Sequence, residues 1–369
     1  IEGVITGGGG RERLSDIAER LSDLDHPEAI NAFARQAMKA RTRDKLNEVW
    51  INSLLSGPKT HAVNIASNVL TSLWTLPEQA LAAGFGAATR SADRVLLRDV
   101  GARAMGMMQG AREGLKLAKR AFLTGEPTDA RSKVETANYR AIPGKLGEII
   151  RIPTRALTAE DEFFKEVARR GEINAQAWRF AHARGGTAAE KAARYAELKD
   201  NPTPAMLEAA DKQAQYLTFQ KPLGPGGRGI QQFANEVPGA KLVIPFIRTP
   251  INILKFAAER SVLAPAFREW RDMIKASGRQ KDEAMARLVM GSGLSALAVS
   301  SALDGKLSGA GPSDPREQAA LRDTGWQPYS IRIGDTWYSY QRFEPISLLA
   351  GVAADFAGLA NYLTPERRG

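Results

Sequence analysis

The chain has 369 residues, enough for about two or three domains of ordinary size and for a core that needs no covalent staples, which excludes a peptide-scale binder. Fifty-one Lys and Arg against 41 Asp and Glu leave a net charge of +10, so contact with nucleic acid or an anionic membrane surface is electrostatically favoured. Cysteine is absent, which excludes disulfides, thiolate metal sites and cysteine nucleophiles. The chain opens on Ile1 with no secretory-signal pattern, as expected of an excerpt or a processed product of something longer.

The run Gly7-Gly8-Gly9-Gly10 is too flexible for a helix or strand interior and makes 1–10 a linker. From about Arg11 to Leu123, apolar residues recur at three and four: Leu14, Ile17 and Leu21, then Ile30, Phe33, Ala34 and Ala37, then Leu46, Val49 and Trp50. That spacing predicts an N-terminal helical region over 11–123. Ser56-Gly57-Pro58 interrupts it and starts a new helix. Ala62–Ala88 is the most apolar long run, with Glu78 its one charge and Pro77 expected to kink it. A basic stretch follows, with Arg90, Arg94, Arg98, Arg103, Arg112, Lys116, Lys119 and Arg120 against Asp93, Asp99 and Glu113.

A Pro/Gly-rich connection covers 124–157, and a middle helical region 158–221 follows. Its first helix is expected to open at Thr158, with Glu160, Asp161 and Glu162 at the positive end of its dipole, and to end before Gly185-Gly186. Shorter helices are expected near 187–199 and 203–217. Residues 222–229 read as a Gly/Pro hinge. An apolar helical region then runs over 230–325, containing Leu242–Ala258 and the uncharged run Leu288–Leu303. Within 326–342, Tyr329, Ile331 and Ile333 alternate with Ser330 and Arg332. Gly334-Asp335 supplies a two-residue turn, and Trp337, Tyr338 and Tyr340 return, which predicts a β-hairpin. Residues 343–369 read as an apolar helix and a tail, with Asp355 the one charge in Ile346–Leu363. The fold class is mainly α: an elongated multi-helix assembly with one small C-terminal β-hairpin.

The apolar runs admit two readings. Leu288–Leu303 rises about 24 Å as a helix, short of a bilayer core of about 30 Å, and Ala62–Ala88 is diluted by Asn64, Ser67, Asn68, Thr71 and Ser72. They are either buried helices of an all-α core, or faces that meet lipid or other subunits, with Leu70, Leu73, Trp74, Leu288, Gly291 and Ser295 as the packing residues. Gly291 and Ser295 form a small-xxx-small pair.

Chemistry-bearing motifs are scarce. The three histidines, His26, His61 and His182, fall in no metal-ligand spacing, and neither a G-x-S-x-G elbow nor a phosphate-binding glycine loop is present. Glu160, Asp161 and Glu162 point in three directions on a helix, and Glu162, Lys165, Glu166 and Arg169 are spaced to form surface ion pairs. No residue is assigned a catalytic or metal-binding role and no cofactor is expected, although a glycosidase needs just two carboxylates that sequence alone does not pair. Arg90, Arg94 and Arg98 fall at helical i, i+4 spacing and, with Arg103, Lys116 and Lys119, are the candidates for non-specific contact with the phosphates of double-stranded DNA. A solvated face or an acidic neighbouring subunit fits the same charges. Trp326, Tyr329, Trp337, Tyr338 and Tyr340 either pack a small domain or form a base-stacking platform.

Four stretches, Trp50–Asn64 (WINSLLSGPKTHAVN), Ala159–Lys165 (AEDEFFK), Pro245–Asn252 (PFIRTPIN) and Gly325–Ile331 (GWQPYSI), together resemble segments of the internal virion, or DNA-ejection, proteins of tailed phages, often described as large polyvalent proteins. The resemblance touches segments between about residues 50 and 350 in the expected order. It implies a structural protein held in the virion interior that leaves through portal and tail and helps carry the genome across the host envelope. Its partners would be further copies of itself, portal, tail or core proteins, the genome and the host membrane. Related proteins often carry a lysozyme or transglycosylase module, and no such module matches here. A peptidoglycan hydrolase segment and an injected anti-restriction effector are the alternatives.

Overall fold

The computed structural model describes residues 42–90, 93–127, 140–236, 246–276 and 278–363. The expected linker 1–10, the helical periodicity from Leu14 to Ala37, His26, the start of the Leu242–Ala258 run and the tail after Leu363 lie outside them. Among the described residues the fold is mainly α, with thirteen α-helices and one two-stranded antiparallel sheet near the C-terminus. In chain order the elements are α1 (Thr42–Leu55), α2 (Pro58–Thr89), α3 (Leu97–Thr124), α4 (Gly144–Ile150), α5 (Ile152–Ala183), α6 (Ala188–Asp200) and α7 (Pro204–Leu217). They continue with α8 (Pro225–Glu236), α9 (Arg248–Ala258), a 3₁₀ turn (Ala264–Ala266), α10 (Arg268–Ala276), α11 (Gly278–Leu303), α12 (Pro315–Asp323), β1 (Ser330–Ile333), β2 (Thr336–Ser339) and α13 (Ile346–Leu363).

Local chemistry sets most boundaries. Gly57-Pro58 separates α1 from α2. Thr187 and Glu190 cap α6 reciprocally, and the Thr203 hydroxyl accepts from the Met206 N–H ahead of Pro204 in α7. Asp314 caps α12 in the same way. Gly334, at φ +61°, takes the first position of the two-residue turn, and Ile333 pairs with Thr336 and Ile331 with Tyr338 across the hairpin.

Several expectations are corrected. The long middle helix opens at Ile152, not Thr158, because Pro153 in a first turn sacrifices an N–H that had no intrahelical partner anyway. Thr158 therefore bonds back to the Thr154 carbonyl, and Glu160, Asp161 and Glu162 sit inside the helix rather than at its dipole end. Glu162 and Glu166 are buried rather than on the surface, although Glu166 does pair with Arg169 (4.0 Å), as the spacing predicts, and with Arg170 (2.9 Å). The glycine-rich 222–229 segment is not all connection: Pro225 starts α8. Helix α2 is continuous through Pro77, where the sequence predicts a kink and not a break.

The chain divides into two compact units, each discontinuous in sequence. One comprises the described parts of Ile1–His61, Arg112–Phe163 and Gly224–Ile247. Here Glu48 of α1 accepts from Arg151 (2.7 Å) and from the Ile142 N–H (2.9 Å), and Asn52 accepts from the Thr154 hydroxyl (2.6 Å). Arg155 of α5 donates to the carbonyls of Phe122 and Leu123, satisfying the exposed end of α3. Gly114 lies against the Phe163 carbonyl, 2.9 Å from where a Cβ would be.

The other unit comprises Ala62–Ala111, Phe164–Leu223 and Arg248–Gly369. On α3, Gly106 and Gly110 lie against the backbone of α5 at Arg170 and Glu166, so close that a Cβ at Gly110 would stand 2.7 Å from the Glu166 carbonyl. Two ion pairs flank that contact: Arg103 with Glu172, and Asp99 with Arg179 at 3.4 Å. Small apolar clusters fill the rest, including Ala168, Leu217, Phe219 and Phe256, and Ile173, Ala177, Met206 and Ala210. Helix α11 packs along α13, with α10 against α11 and α9 against α13.

Replacing Gly110 by Val is expected to force α3 away from α5 and to lower stability by about 1–3 kcal/mol in urea unfolding, the usual cost of overpacking. An unchanged midpoint would contradict so close a crossing.

Candidate functional site

Helix α2 is turned inside out between Ile65 and Glu78. Its buried positions there are Ser67, Asn68, Thr71, Ser72, Thr75 and Glu78, whereas Ile65, Val69, Leu70 and Leu73 are exposed, Leu73 at 53%. Ile65, Val69 and Leu73 recur every four residues and so share one face. The buried hydroxyls and amide are satisfied close to home: Thr71 donates to the Ser67 carbonyl (2.8 Å), Thr75 to Ser72 (2.7 Å) and Asn68 to Asn64 (2.9 Å), while Ser67 reaches the Arg342 carbonyl (3.3 Å). Trp74 is half-buried and packs against the Phe219–Phe256 cluster.

The cause of the inversion is Glu78. Its carboxylate receives a two-pronged contact from Arg260, Nε to Oε2 at 2.8 Å and Nη2 to Oε1 at 2.9 Å, and the Trp74 indole donates to it at 3.2 Å. Arg260, 1% exposed, also donates to the Tyr216 hydroxyl (2.9 Å), which in turn donates to Glu259. Arg287 of α11 completes the cluster, 3.5 Å from Glu78 and 3.4 Å from Glu259. The Arg260 guanidinium lies 3.4 Å above the Phe256 ring. Two glutamates and two arginines balance. Burial pushes the Tyr216 phenol up to about 12, with Arg260 and Arg287 opposing it and Glu259 and Glu78 adding to it, so it remains a donor throughout the physiological range.

The apolar stretches of α11 and α13 also turn apolar side chains outward, although what they bury is mostly small or apolar rather than polar. Beyond Arg287, α11 carries no charge as far as Leu303. Its exposed residues include Val289, Gly293 and Leu297, the last at 69%, whereas Gly291 and Ala298 are buried. Helix α11 is long and apolar enough to meet the length and composition test for a membrane span, yet only 17% of its most apolar 18-residue stretch is buried inside the protein. On α13, Val352, Phe356 and Leu359 share an exposed face, beside buried Leu349, Ala353 and Ala357. The one charge of that helix, Asp355, is held inward by the Ala310 N–H (2.6 Å) and the Tyr329 hydroxyl (3.3 Å). Within Ala62–Ala88, Leu288–Leu303 and Ile346–Leu363, the two charges present are Glu78, buried and ion-paired, and Asp355, half-buried and hydrogen-bonded within the chain.

Of the six expected packing residues, Leu70 and Leu73 are exposed and Trp74 and Leu288 half-buried. Gly291 and Ser295 are used within the chain: a Cβ at Gly291 would strike the Arg260 carbonyl, and the Ser295 hydroxyl donates to the Gly291 carbonyl (3.0 Å).

The basic candidates do not share one helical face. Arg90 follows the end of α2 in a left-handed conformation (φ +53°), Arg94 is half-buried in the non-helical link, and Arg98 is exposed in the first turn of α3. Arg103 is removed from the set, because it is buried and its guanidinium is committed to Glu172. Lys116 and Lys119 are exposed on α3. In the hairpin, Tyr329 and Tyr340 serve internal bonds, to Asp355 and to the Ser308 carbonyl (2.7 Å), and Trp326 covers Gly311.

His61 pairs with Glu160 at 2.6 Å, and His182 stacks on Trp178. Among the described residues no group of three His, Asp or Glu is placed to hold a metal ion.

Arg260→Met, which strands Glu78 in the interior, is expected to cost about 3–5 kcal/mol of stability, and adding Glu78→Gln should recover part of it. A loss near zero for the single variant would show that the cluster is solvated. Glu172 gives a second test. Burial raises its pKa, but the Arg103 charge, with hydrogen bonds from Gln176 and Arg103 and the Arg279 charge, holds it down at about 2. A depressed acid stabilises the fold above its unfolded value and loses that contribution as pH falls through the folded one. Between about pH 5 and pH 2, stability should therefore fall by on the order of 3 kcal/mol more in the wild type than in Glu172→Gln; parallel pH curves would contradict it.

Comparison with protein families, with curated proteins and with solved structures found no match for this chain.

Proposed function

We propose that this chain is a non-enzymatic structural component of a tailed-phage particle: an internal virion protein that self-associates and, after ejection, seats its apolar faces in the host envelope around a conduit for the genome. The observation that carries this reading is the inversion of α2, with Ser67, Asn68, Thr71, Ser72, Thr75 and Glu78 inward and Ile65, Val69, Leu70 and Leu73 outward. A water-soluble core helix does the opposite, whereas a helix in lipid keeps its polar and charged groups toward protein and pairs them. The outward faces of α11 and α13 support the same reading. Any 18-residue stretch of α11 takes in Arg287, which is committed to Glu78 and Glu259. The 16-residue charge-free remainder rises only about 24 Å, so the proteins would lie in the membrane and line it together rather than cross as single spans.

The resemblance of the four sequence stretches to ejection proteins supplies the biological setting: storage in the virion interior beside DNA, contact with portal, tail or core proteins, and delivery to the envelope. The charge of +10 suits a neighbour of packed DNA. For non-specific phosphate contact the remaining candidates are Arg90, Arg94 and Arg98, and separately Lys116 and Lys119.

Flotation with anionic phosphatidylglycerol vesicles tests the membrane part. The wild-type chain should float, and Leu73→Glu combined with Phe356→Glu should weaken binding at least about tenfold, since each buried apolar side chain contributes about 1.5–3 kcal/mol. Wild type that stays in solution, or release of soluble muropeptides from purified peptidoglycan, would overturn the reading. Duplex DNA binding should weaken steeply with salt, and Lys116→Gln with Lys119→Gln should flatten the log–log slope by about two. A salt-insensitive affinity would remove the DNA contact.

A further inference from the structure

Asp282 lies in the second turn of α11 with 3% of its surface exposed, and among the described residues nothing hydrogen-bonds its Oδ2 atom. Gly86 of α2 makes room for it: a Cβ added there would come within 2.8 Å of that same Oδ2 and within 2.7 Å of the Arg94 Cβ. The carboxyl is thus pressed against the backbone of α2, with the aliphatic base of Arg94 alongside. Ala82, Ala83, Val95 and Ala286 close an apolar cluster at the same junction of α2, the following link and α11.

The charged groups around it are Lys281 on its own helix, and Asp93 and Arg94 in the link. An ionised oxygen enclosed without a donor carries a desolvation cost that a neutral carboxyl largely avoids. We propose that Asp282 is an acid-strengthened clasp: its neutral carboxyl seats α11 on α2 at Gly86, and ionisation loosens that junction as pH rises. The clasp holds whether or not the apolar faces meet lipid. Burial raises the pKa of this group above its usual 3.8, Lys281 opposes the rise and Asp93 adds to it. For an acid raised in the fold, the contribution is fullest below the unfolded value and is lost as pH climbs through the folded one.

The test uses the full chain. Asp282→Asn keeps the shape of the neutral acid, so it should melt about 1–2 °C above wild type at pH 8, roughly the effect of 1 kcal/mol in a chain of this length, with the gap closing toward pH 4. In the wild type, the Asp282 carboxyl followed by ¹³C NMR should titrate with a midpoint above that of a free aspartate, a readout that needs no variant. Equal or lower melting of Asp282→Asn at pH 8, or an Asp282 midpoint at or below the free value, overturns the clasp.

Discussion

Glu78 sits in the middle of the most apolar stretch of the chain, and the place its charge goes decides how the helices around it are arranged. Its carboxylate is met by Arg260 in a two-pronged contact and by Arg287 at longer range. That arrangement fixes the rotation of α2 about its axis. Thr71 and Thr75, seven and three positions before Glu78, turn inward with it, and Leu73 and Val69 are left outside. Burying two ion pairs is not a cheap way to stabilise a core, because desolvation offsets much of the Coulomb gain. It does specify one arrangement, since any other rotation of α2 would strand Glu78 against carbon. The Gly291 contact at Arg260 ties α11 to the same point, so one charged cluster positions two of the three helices with outward apolar faces.

Much of the fold is legible in the sequence. The break at Gly57-Pro58, the hairpin turn at Gly334-Asp335 and the apolar C-terminal helix each follow from local chemistry, and the structure places them where that chemistry predicts. Local signals misled where a residue has two uses. Pro153 reads as a connection, but a proline in a first helical turn is equally at home. The i, i+4 spacing of Arg90, Arg94 and Arg98 suggests a helical face, yet nothing in that spacing reveals that the chain leaves the helix at Arg90. The glycines Gly106, Gly110 and Gly114 recur every four residues, a legible sign of close helix contact that composition alone obscured.

The site was legible only in part. A single Glu in an apolar run signals a buried partner, but Arg260 and Arg287 lie about 180 and 210 positions away, and no local rule connects them. The inversion of α2 depends on tertiary contacts in the same way. Its sequence mixes Ser, Thr and Asn with Leu and Val, and period alone does not say which face turns in. Gly291 shows the reverse case: a small residue that suggests association between chains lies here against Arg260 of the same chain.

Polar groups enclosed and paired, with apolar side chains facing out, is the arrangement that hydrocarbon surroundings select. The absence of cysteine from the chain permits a direct examination, because any single introduced thiol is unique. Nitroxide labels placed at Ile65→Cys, Asn68→Cys, Val69→Cys, Thr71→Cys, Leu73→Cys and Thr75→Cys can be read by collision with oxygen and with a water-soluble nickel complex. On anionic vesicles, the labels at 65, 69 and 73 should gain oxygen contact and lose nickel contact, while those at 68, 71 and 75 stay shielded from both. Nickel contact at 69 and 73 that is the same with and without vesicles would contradict the account.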